Sequence, residues 1–134
     1  MRWPGEVVID HLGLPAASSR SYPGSAALVR LFTAQHVWVK TSAPYRSGPD
    51  AATAMLRSLL CAGGGERMVW GSDWPWTRHE AGRNYSATLT WLTGELSDTE
   101  ARRILCSNPI RLFSWAPSAT NELTEPRVAA AQHS

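Results

Sequence analysis

The chain has 134 residues and a formal net charge of +2, and 43% of its residues are hydrophobic and 18% charged. This length and composition are typical of one globular domain with a single core. The small net charge, without a cluster of Lys and Arg, argues against a nucleic-acid partner. The sequence has neither an 18-residue apolar run nor a basic and then apolar leader, so we predict no membrane partner and a cytoplasmic location.

Two cysteines, Cys61 and Cys106, lie within helical patterns. A disulfide framework would need more cysteines, and a metal-binding knuckle would need close pairs. We therefore predict two buried, reduced thiols.

Three apolar segments, residues 6–11, 36–42 and 67–73, favour β-strands. They are rich in β-branched and aromatic residues and do not alternate with polar ones, which predicts parallel strands buried on both faces. Helical patterns lie between them, over residues 25–35 and 50–65. These patterns begin at a serine and an aspartate suited to N-capping, and the second ends at three glycines.

The spacing of the strands suggests the architecture. Val7 and Val37 are 30 residues apart, and Val37 and Met68 are 31 apart. A (β/α)₈ barrel of roughly 250 residues has about 31 residues in each unit, so three successive units fit a barrel segment. The same spacing also fits part of a doubly wound sheet, so periodicity leaves both folds open.

Two more helical patterns follow, over residues 83–96 and 97–113. The second begins with a capping box of Ser97 and Glu100, and Pro109 is expected to break or restart it. Residues 116–134 are polar and lack periodicity, which predicts a disordered tail after a domain of residues 1–115.

Candidate functional residues lie at the carboxyl ends of the predicted strands, where barrel enzymes build their active sites. Alternation of side chains predicts that His11 and Asp73 each end an apolar face and point into the same mouth. Tyr45 and Arg46 follow the middle strand, and the fork of Arg46 suits a substrate carboxylate. Three of them have an ordinary alternative: His11 as a hydrogen-bonded histidine, Asp73 as a helix-capping aspartate, and Arg46 as a solvated loop arginine.

Other ionisable residues carry weaker signals. Asp10 is expected to face the helix layer and take a structural hydrogen bond. His79 and Glu80 are adjacent in a loop and indicate a metal site only weakly.

Four segments resemble the C-terminal part of the amidohydrolase-related (amidohydrolase 2) family of TIM-barrel hydrolases, to which 2-pyrone-4,6-dicarboxylate lactonases belong: VVIDHLGLP, VWVKTSAPYR, MVWGSDWPWT and NPIRLF. The resemblance implies an α/β fold, with about three βα units and the terminal helices of a (β/α)₈ barrel. It also implies hydrolysis, by attack of water on an ester, lactone or amide carbonyl of a small carboxylated substrate.

The same resemblance implies roles for individual residues. Asp73 matches an aspartate that serves as general base or metal ligand, and His11 matches a histidine that polarises the scissile carbonyl or contacts the metal. Tyr45 and Arg46 match a loop that binds a substrate carboxylate. Trp76 stands where relatives often have a histidine, which leaves the substrate preference open.

The family's terminal NPxRLF motif, here with Asn108, Pro109 and Arg111, is interpreted as structural. We expect it to pack the last helix against the barrel.

The family's first strand carries a His-x-His pair, and these 134 residues contain none. By count of units, about five of the eight barrel units are missing. We therefore expect the chain to be inactive and to bind no metal by itself. The resemblance implies that a complete barrel either holds one zinc-like divalent ion, with His11 and Asp73 among its ligands, or acts without a metal, and the sequence leaves both open.

A second hypothesis is a non-catalytic remnant or interaction module that docks on a partner supplying the missing strands. A three-stranded open sheet has two edges with unpaired backbone groups, so we expect self-association or binding to a complementary N-terminal barrel segment. A third hypothesis, a doubly wound nucleotide-binding domain, is weaker because the first turn lacks a Gly-rich loop.

Overall fold

The computed structural model describes residues 5–16 and 23–115, so the predicted tail lies outside the described residues. Strands and helices alternate in the first half of the chain, and helices follow in the second half. The elements are β1 (Val7–Ile9), a 3₁₀ turn (His11–Gly13), α1 (Pro23–Phe32), β2 (Val37–Thr41), α2 (Pro44–Ser47), α3 (Pro49–Gly63), β3 (Met68–Trp70), α4 (Tyr85–Thr93), α5 (Asp98–Arg102), a π-helical segment (Arg103–Ser107) and α6 (Asn108–Phe113).

The three strands form one parallel sheet in the order β1-β2-β3, as the sequence predicts. Val7 pairs with Val37, and Val39 pairs with both Ile9 and Met68. A parallel pair needs a crossover connection, and α1 and α3 supply the two crossovers here.

The hydrophobic core lies between one face of the sheet and the helices. Val39 and Met68, which are neighbours across the sheet, are fully buried, and Ile9 packs against the same cluster. Helical residues at three- and four-residue spacing complete it, because that spacing keeps apolar side chains on one helix face. The cluster contains Leu12, Leu28, Phe32, Val39, Ala52, Met55, Leu56, Leu59, Met68, Leu92 and Ile104.

The opposite face of the sheet is only partly covered, since Val8 remains 41% exposed. Trp38 is buried on this face, where its Nε1 donates a hydrogen bond to Glu6 at 2.7 Å. The prediction for Asp10 is wrong. Because Val8 pairs with Trp38, Asp10 lies on the side of Lys40 and forms an ion pair with it at 2.7 Å, away from the helix layer.

The helix boundaries differ slightly from the predicted ones. Helix α1 begins at Pro23, two residues before the serine predicted to cap it. Helix α3 is preceded by Gly48, and Asp50 lies in its first turn and makes no cap. It ends as predicted at the glycines, where Gly64 adopts the left-handed conformation (φ 57°) that favours a residue without Cβ.

The C-terminal helices carry the predicted capping box, in which Ser97 and Glu100 bond reciprocally. Pro109 lies in the first turn of α6, but the helix continues through it without a break, because the backbone on both sides of the junction with the π-helical segment stays in the α-helical region. Asn108 is buried and donates to the carbonyls of Gly65 (2.7 Å) and Met68 (2.6 Å). The motif therefore ties α6 to the start of β3, in agreement with its structural interpretation.

The prediction of buried thiols is wrong, because Cys61 and Cys106 are both exposed and free. Each cysteine follows a buried core residue, Leu59 or Ile104, by two positions. Two positions along a helix turn a side chain away from the buried stripe, so both thiols point outward. Over residues 5–16 and 23–115, no helix is both long and apolar enough to cross a membrane.

Candidate active site

The four predicted site residues meet at the carboxyl ends of the strands. His11 follows β1 by two residues, Asp73 follows β3 by three, and Tyr45 and Arg46 lie in α2, directly after β2. All four are partly buried. The structure therefore brings together side chains that are up to 62 positions apart in the sequence.

The carboxylate of Asp73 is the centre of this cluster. Its Oδ2 accepts a hydrogen bond from the Tyr45 hydroxyl at 2.5 Å and another from Nε of Arg46 at 2.7 Å. The Asp73 side chain is only 12% exposed. Hydrogen bonds to a charged group are among the stronger ones, so Tyr45 and Arg46 fix the orientation of this carboxylate.

The second oxygen of Asp73, Oδ1, faces the imidazole of His11. Nε2 of His11 lies 3.6 Å from it, which is too long for a direct hydrogen bond. On the other side of the ring, Nδ1 lies 2.8 Å from the hydroxyl of Ser42, which is fully buried. No motif in the sequence indicates this contact of Ser42 with the site.

The proximity of His11 and Asp73 is as expected, but the strand alternation behind that expectation is wrong. The register puts Ile9, Val39 and Met68 on one face, so Val69 and Gly71 lie on the other. A regular continuation of β1 would thus direct His11 to the helix side.

The backbone turns after each strand bring the two side chains together. His11 and Asp73 have left-handed φ values of 52° and 60°, and Ala43, just before Tyr45, has φ 50°. Such conformations cost non-glycine residues energy, and they cluster at functional sites. All three lie within three residues of a strand's carboxyl end.

The pKa of the Asp73 carboxyl reflects two opposing effects. Burial by itself would raise it, but the hydrogen bonds from Tyr45 and Arg46, with the charges of His11 and Arg46, outweigh burial and lower the pKa. Asp73 is therefore ionised at neutral pH and can accept a proton at Oδ1.

His11 and Tyr45, which both face Asp73, are uncharged at neutral pH. Burial lowers the pKa of His11, and the opposing charge of Asp73 does not compensate for it, so the ring is neutral at pH 7. Burial, together with the hydrogen bond to Asp73, raises the pKa of Tyr45 to about 12. Tyr45 thus remains a hydrogen-bond donor over the whole physiological range.

The ring of Tyr45 is itself flanked by two side chains of the loop after β3. The guanidinium of Arg83 lies 4.2 Å from its centroid, and the ring of His79 lies 5.2 Å away. Glu80 accepts a hydrogen bond from the backbone of Arg78. His79 and Glu80, the weak metal signal, therefore have separate contacts.

The described residues do not by themselves form a metal site. A zinc ion takes at least three protein ligands. In residues 5–16 and 23–115, no group of three His, Cys, Asp or Glu side chains could hold an ion. His11 and Asp73 offer two donors, and one oxygen of Asp73 is already held by Tyr45 and Arg46.

Comparison with known proteins places this site in context. Residues 2–115 match the family described as Amidohydrolase. Over 125 residues the chain is 36% identical to the D-galactarolactone isomerase of Agrobacterium fabrum, and the match covers 87% of this chain and 41% of that relative.

Solved structures of proteins with related names also resemble the chain. A 2-pyrone-4,6-dicarboxylic acid hydrolase-like protein of Pseudomonas putida superposes with a TM-score of 0.71 at 34% identity, over 81% of this chain and 43% of its own. An amidohydrolase of Burkholderia multivorans with bound zinc superposes with a TM-score of 0.66 at 25% identity, over 84% and 45%.

The chain thus spans less than half the length of each of these relatives. The matches confirm the resemblance inferred from the four sequence segments. They also confirm the predicted fold class, an α/β C-terminal segment of a (β/α)₈ barrel.

Proposed function

Because the chain belongs to the amidohydrolase family, we propose that it forms the Asp73-bearing part of a lactonase-type hydrolase acting on a small carboxylated substrate. The observation that carries the proposal is the carboxylate of Asp73, ionised and oriented by Tyr45 and Arg46, with Oδ1 turned toward His11. The proposed substrates are cyclic or open esters. Amides, whose carbonyl carbon is less reactive toward water, are the second class.

In the proposed reaction, Oδ1 of Asp73 takes a proton from water as the water oxygen attacks the carbonyl carbon. The Nε2–H of neutral His11 donates to the carbonyl oxygen, where negative charge develops. The bond to the alkoxy oxygen then breaks, and the proton on Asp73 passes to the leaving alkoxide. Asp73 is ionised again at the end of the cycle.

Tyr45 and Arg46 have a positioning role toward Asp73 in this scheme. Both bind Oδ2, so they leave Oδ1 available to the water. Arg46 uses Nε for this contact, and Nη2 makes only a long one, 3.5 Å to the carbonyl of Thr77. The guanidinium thus retains N–H groups for the carboxylate of a substrate.

Where a completed barrel holds one zinc-like divalent ion, His11 and Asp73 would be two of its ligands, and the ion would then polarise the carbonyl in place of the Nε2–H of His11. The zinc bound to the Burkholderia amidohydrolase supports this part. No step above depends on the ion, and we expect the chain without further barrel units to bind none tightly.

A completed barrel provides the test. The chain would be joined to the part of the Agrobacterium relative that it does not match, and lactone opening would be followed in H₂¹⁸O. We expect one ¹⁸O in the product carboxylate and a loss of at least about 100-fold in rate for Asp73→Asn. Asp50→Asn, a change at an exposed acid of α3, is the matched control and should leave the rate unchanged.

Equal rates for Asp73→Asn and the unchanged barrel would contradict the assignment. A product rearranged without ¹⁸O would instead favour a second candidate, lactone isomerisation. That candidate is supported by the name of the 36% identical relative. The same residues suit it, because a hydroxyl of the substrate can replace water in the attack on the carbonyl.

We also propose that the chain associates, either with itself or with a chain that supplies further barrel strands. Within the described residues, β1 and β3 each pair on one side only, and Val8 is 41% exposed on the open face. Affinity purification should recover oligomers or a partner carrying a His-x-His pair. If the chain is a non-catalytic docking module, a partner should be recovered, but Asp73→Asn should not change the activity of that partner.

A monodisperse monomer with a sharp, cooperative urea transition would contradict the association.

A cytoplasmic location belongs to the same proposal, since two exposed free thiols suit a reducing compartment. The accessibility of Cys61 and Cys106 to a thiol reagent in intact cells is the corresponding measurement.

A further inference from the structure

A cavity of about 360 Å³ lies beside Tyr45, between α2 and the start of α4. Its walls are largely apolar, with Pro44, Pro49 and Trp91 among the lining residues. Among the described side chains that line it, Arg83 alone carries a charge. Tyr45 therefore contacts two different environments. Its hydroxyl binds the carboxylate of Asp73, and its ring borders an apolar cavity whose charged lining residue is Arg83.

The charge of Arg83 is uncompensated in the described part of the chain. Lys40 pairs with Asp10 and Arg46 pairs with Asp73, each at 2.7 Å. The guanidinium of Arg83 has no hydrogen-bond acceptor or acidic partner among residues 5–16 and 23–115. Its side chain is exposed, and the guanidinium lies over the Tyr45 ring, 4.2 Å from the centroid, in a cation–π contact.

A second donor lines the same cavity. Asn84 uses its Oδ1 to accept a hydrogen bond from Ala87 at the start of α4. This contact directs the acceptor end of the amide into the helix cap and leaves its NH₂ group without an acceptor among the described residues. The cavity thus combines an exposed cation and an exposed amide donor with apolar walls.

We propose that this cavity is a subsite for a carboxylate carried on an apolar stem, and that Arg83 selects for it. The inference rests on the proposed function, since it treats the cavity as the place of a substrate group remote from the carbonyl attacked at Asp73. A guanidinium matches a carboxylate through paired N–H groups, and the prolines and Trp91 would contact the stem. Arg83 would thus determine specificity, whereas Asp73 and His11 would react.

Binding of two matched probes to the full chain tests the proposal without requiring turnover. Benzoate and benzamide have the same shape and differ in charge, and each would be titrated while the Ala87 amide and the Trp91 indole are followed by NMR. We expect benzoate to bind about fivefold more tightly than benzamide. Arg83→Gln should remove that preference, and Arg83→Lys should retain only part of it, because an ammonium keeps the charge but lacks the paired N–H groups.

Arg78→Gln is the matched control, because Arg78 is an exposed arginine of the same loop that does not line the cavity. Equal affinities for benzoate and benzamide in the unchanged chain, or a preference that survives Arg83→Gln, would overturn the proposal. A preference that depends on Arg83 while Asp73→Asn leaves turnover unchanged would retain the anion subsite and refute only the hydrolase assignment.

Discussion

The hydroxyl of Tyr45 lies 2.5 Å from Oδ2 of Asp73, and it links the loop after β2 to the loop after β3. Removing it in Tyr45→Phe should raise the pKa of Asp73, because a hydrogen bond that favours the ionised carboxylate is lost. A ¹³C NMR titration of the Asp73 carboxyl measures this change. Tyr85→Phe is the control, since the Tyr85 ring packs on Trp70 at 5.0 Å and its hydroxyl has no partner in the described residues.

The lowered pKa of Asp73 also determines how Tyr45→Phe changes the stability of the chain with pH. A carboxyl whose pKa is lowered in the folded chain stabilises it above the pKa of the unfolded chain, and this contribution is lost as pH falls through the folded pKa. Tyr45→Phe should therefore destabilise the chain at pH 7 by about 1 kcal/mol, and by less at pH 3. A carboxyl titration that is identical in both proteins would contradict the structure.

Ser42 should control the tautomer of His11. Because Nε2 faces the carboxylate of Asp73, we expect the ring to carry its proton on Nε2 and the Ser42 hydroxyl to donate to Nδ1. Ser42→Ala removes that donor, so the Nε2–H preference should fall. ¹⁵N NMR of the imidazole distinguishes the two tautomers. Ser58→Ala, at an exposed serine of α3, is the control, and an unchanged spectrum in Ser42→Ala would contradict this role.

Much of the fold follows from local sequence patterns. The three strands are apolar runs at a 30- to 31-residue period, and their parallel pairing follows from the helical crossovers between them. The glycine stop after α3 and the capping box of Ser97 are equally local. The prediction that the cysteines are buried is wrong because which face of a helix is buried depends on its packing partners, not on its composition.

The site is predictable only in part, because its contacts span long sequence separations. Asp73 and His11 were identifiable as ionisable residues at strand ends. Their proximity, however, depends on the sheet register and on left-handed turns at both residues, which alternation along a strand does not describe. The contact of Ser42 with His11 and the stacking of Arg83 on Tyr45 depend on the same turns.

Asn108 should be among the strongest determinants of stability outside the site. Its amide donates to two carbonyls, and its side chain is buried. Asn108→Ala leaves both carbonyls without their donor, which should cost about 2–4 kcal/mol in the free energy of unfolding. Urea unfolding at a fixed protein concentration measures it. Ser107→Ala, at the exposed preceding residue, should change it by less than about 0.5 kcal/mol, and equal effects would argue against the tie.

The capping box of α5 gives a test that depends on pH. Hydrogen bonds from the side chain and the backbone N–H of Ser97 lower the pKa of Glu100. Its contribution is therefore present above the ordinary glutamate pKa and lost as pH falls through the lowered one. Glu100→Gln keeps the hydrogen-bonding geometry and removes the charge.

The stability of Glu100→Gln should fall below that of the unchanged chain by about 0.5 kcal/mol at pH 7. The difference should shrink as pH falls through the lowered folded pKa of Glu100, because the side chain then becomes protonated in the folded chain as well as in the unfolded one. Thermal unfolding as a function of pH measures the change. Asp98→Asn is the control, because Asp98 lies in the same helical turn but makes no side-chain hydrogen bond among the described residues. Its change in stability measures what an acid contributes at the start of a helix without the cap. A difference that does not change with pH would show that the charge of Glu100 does not stabilise the cap.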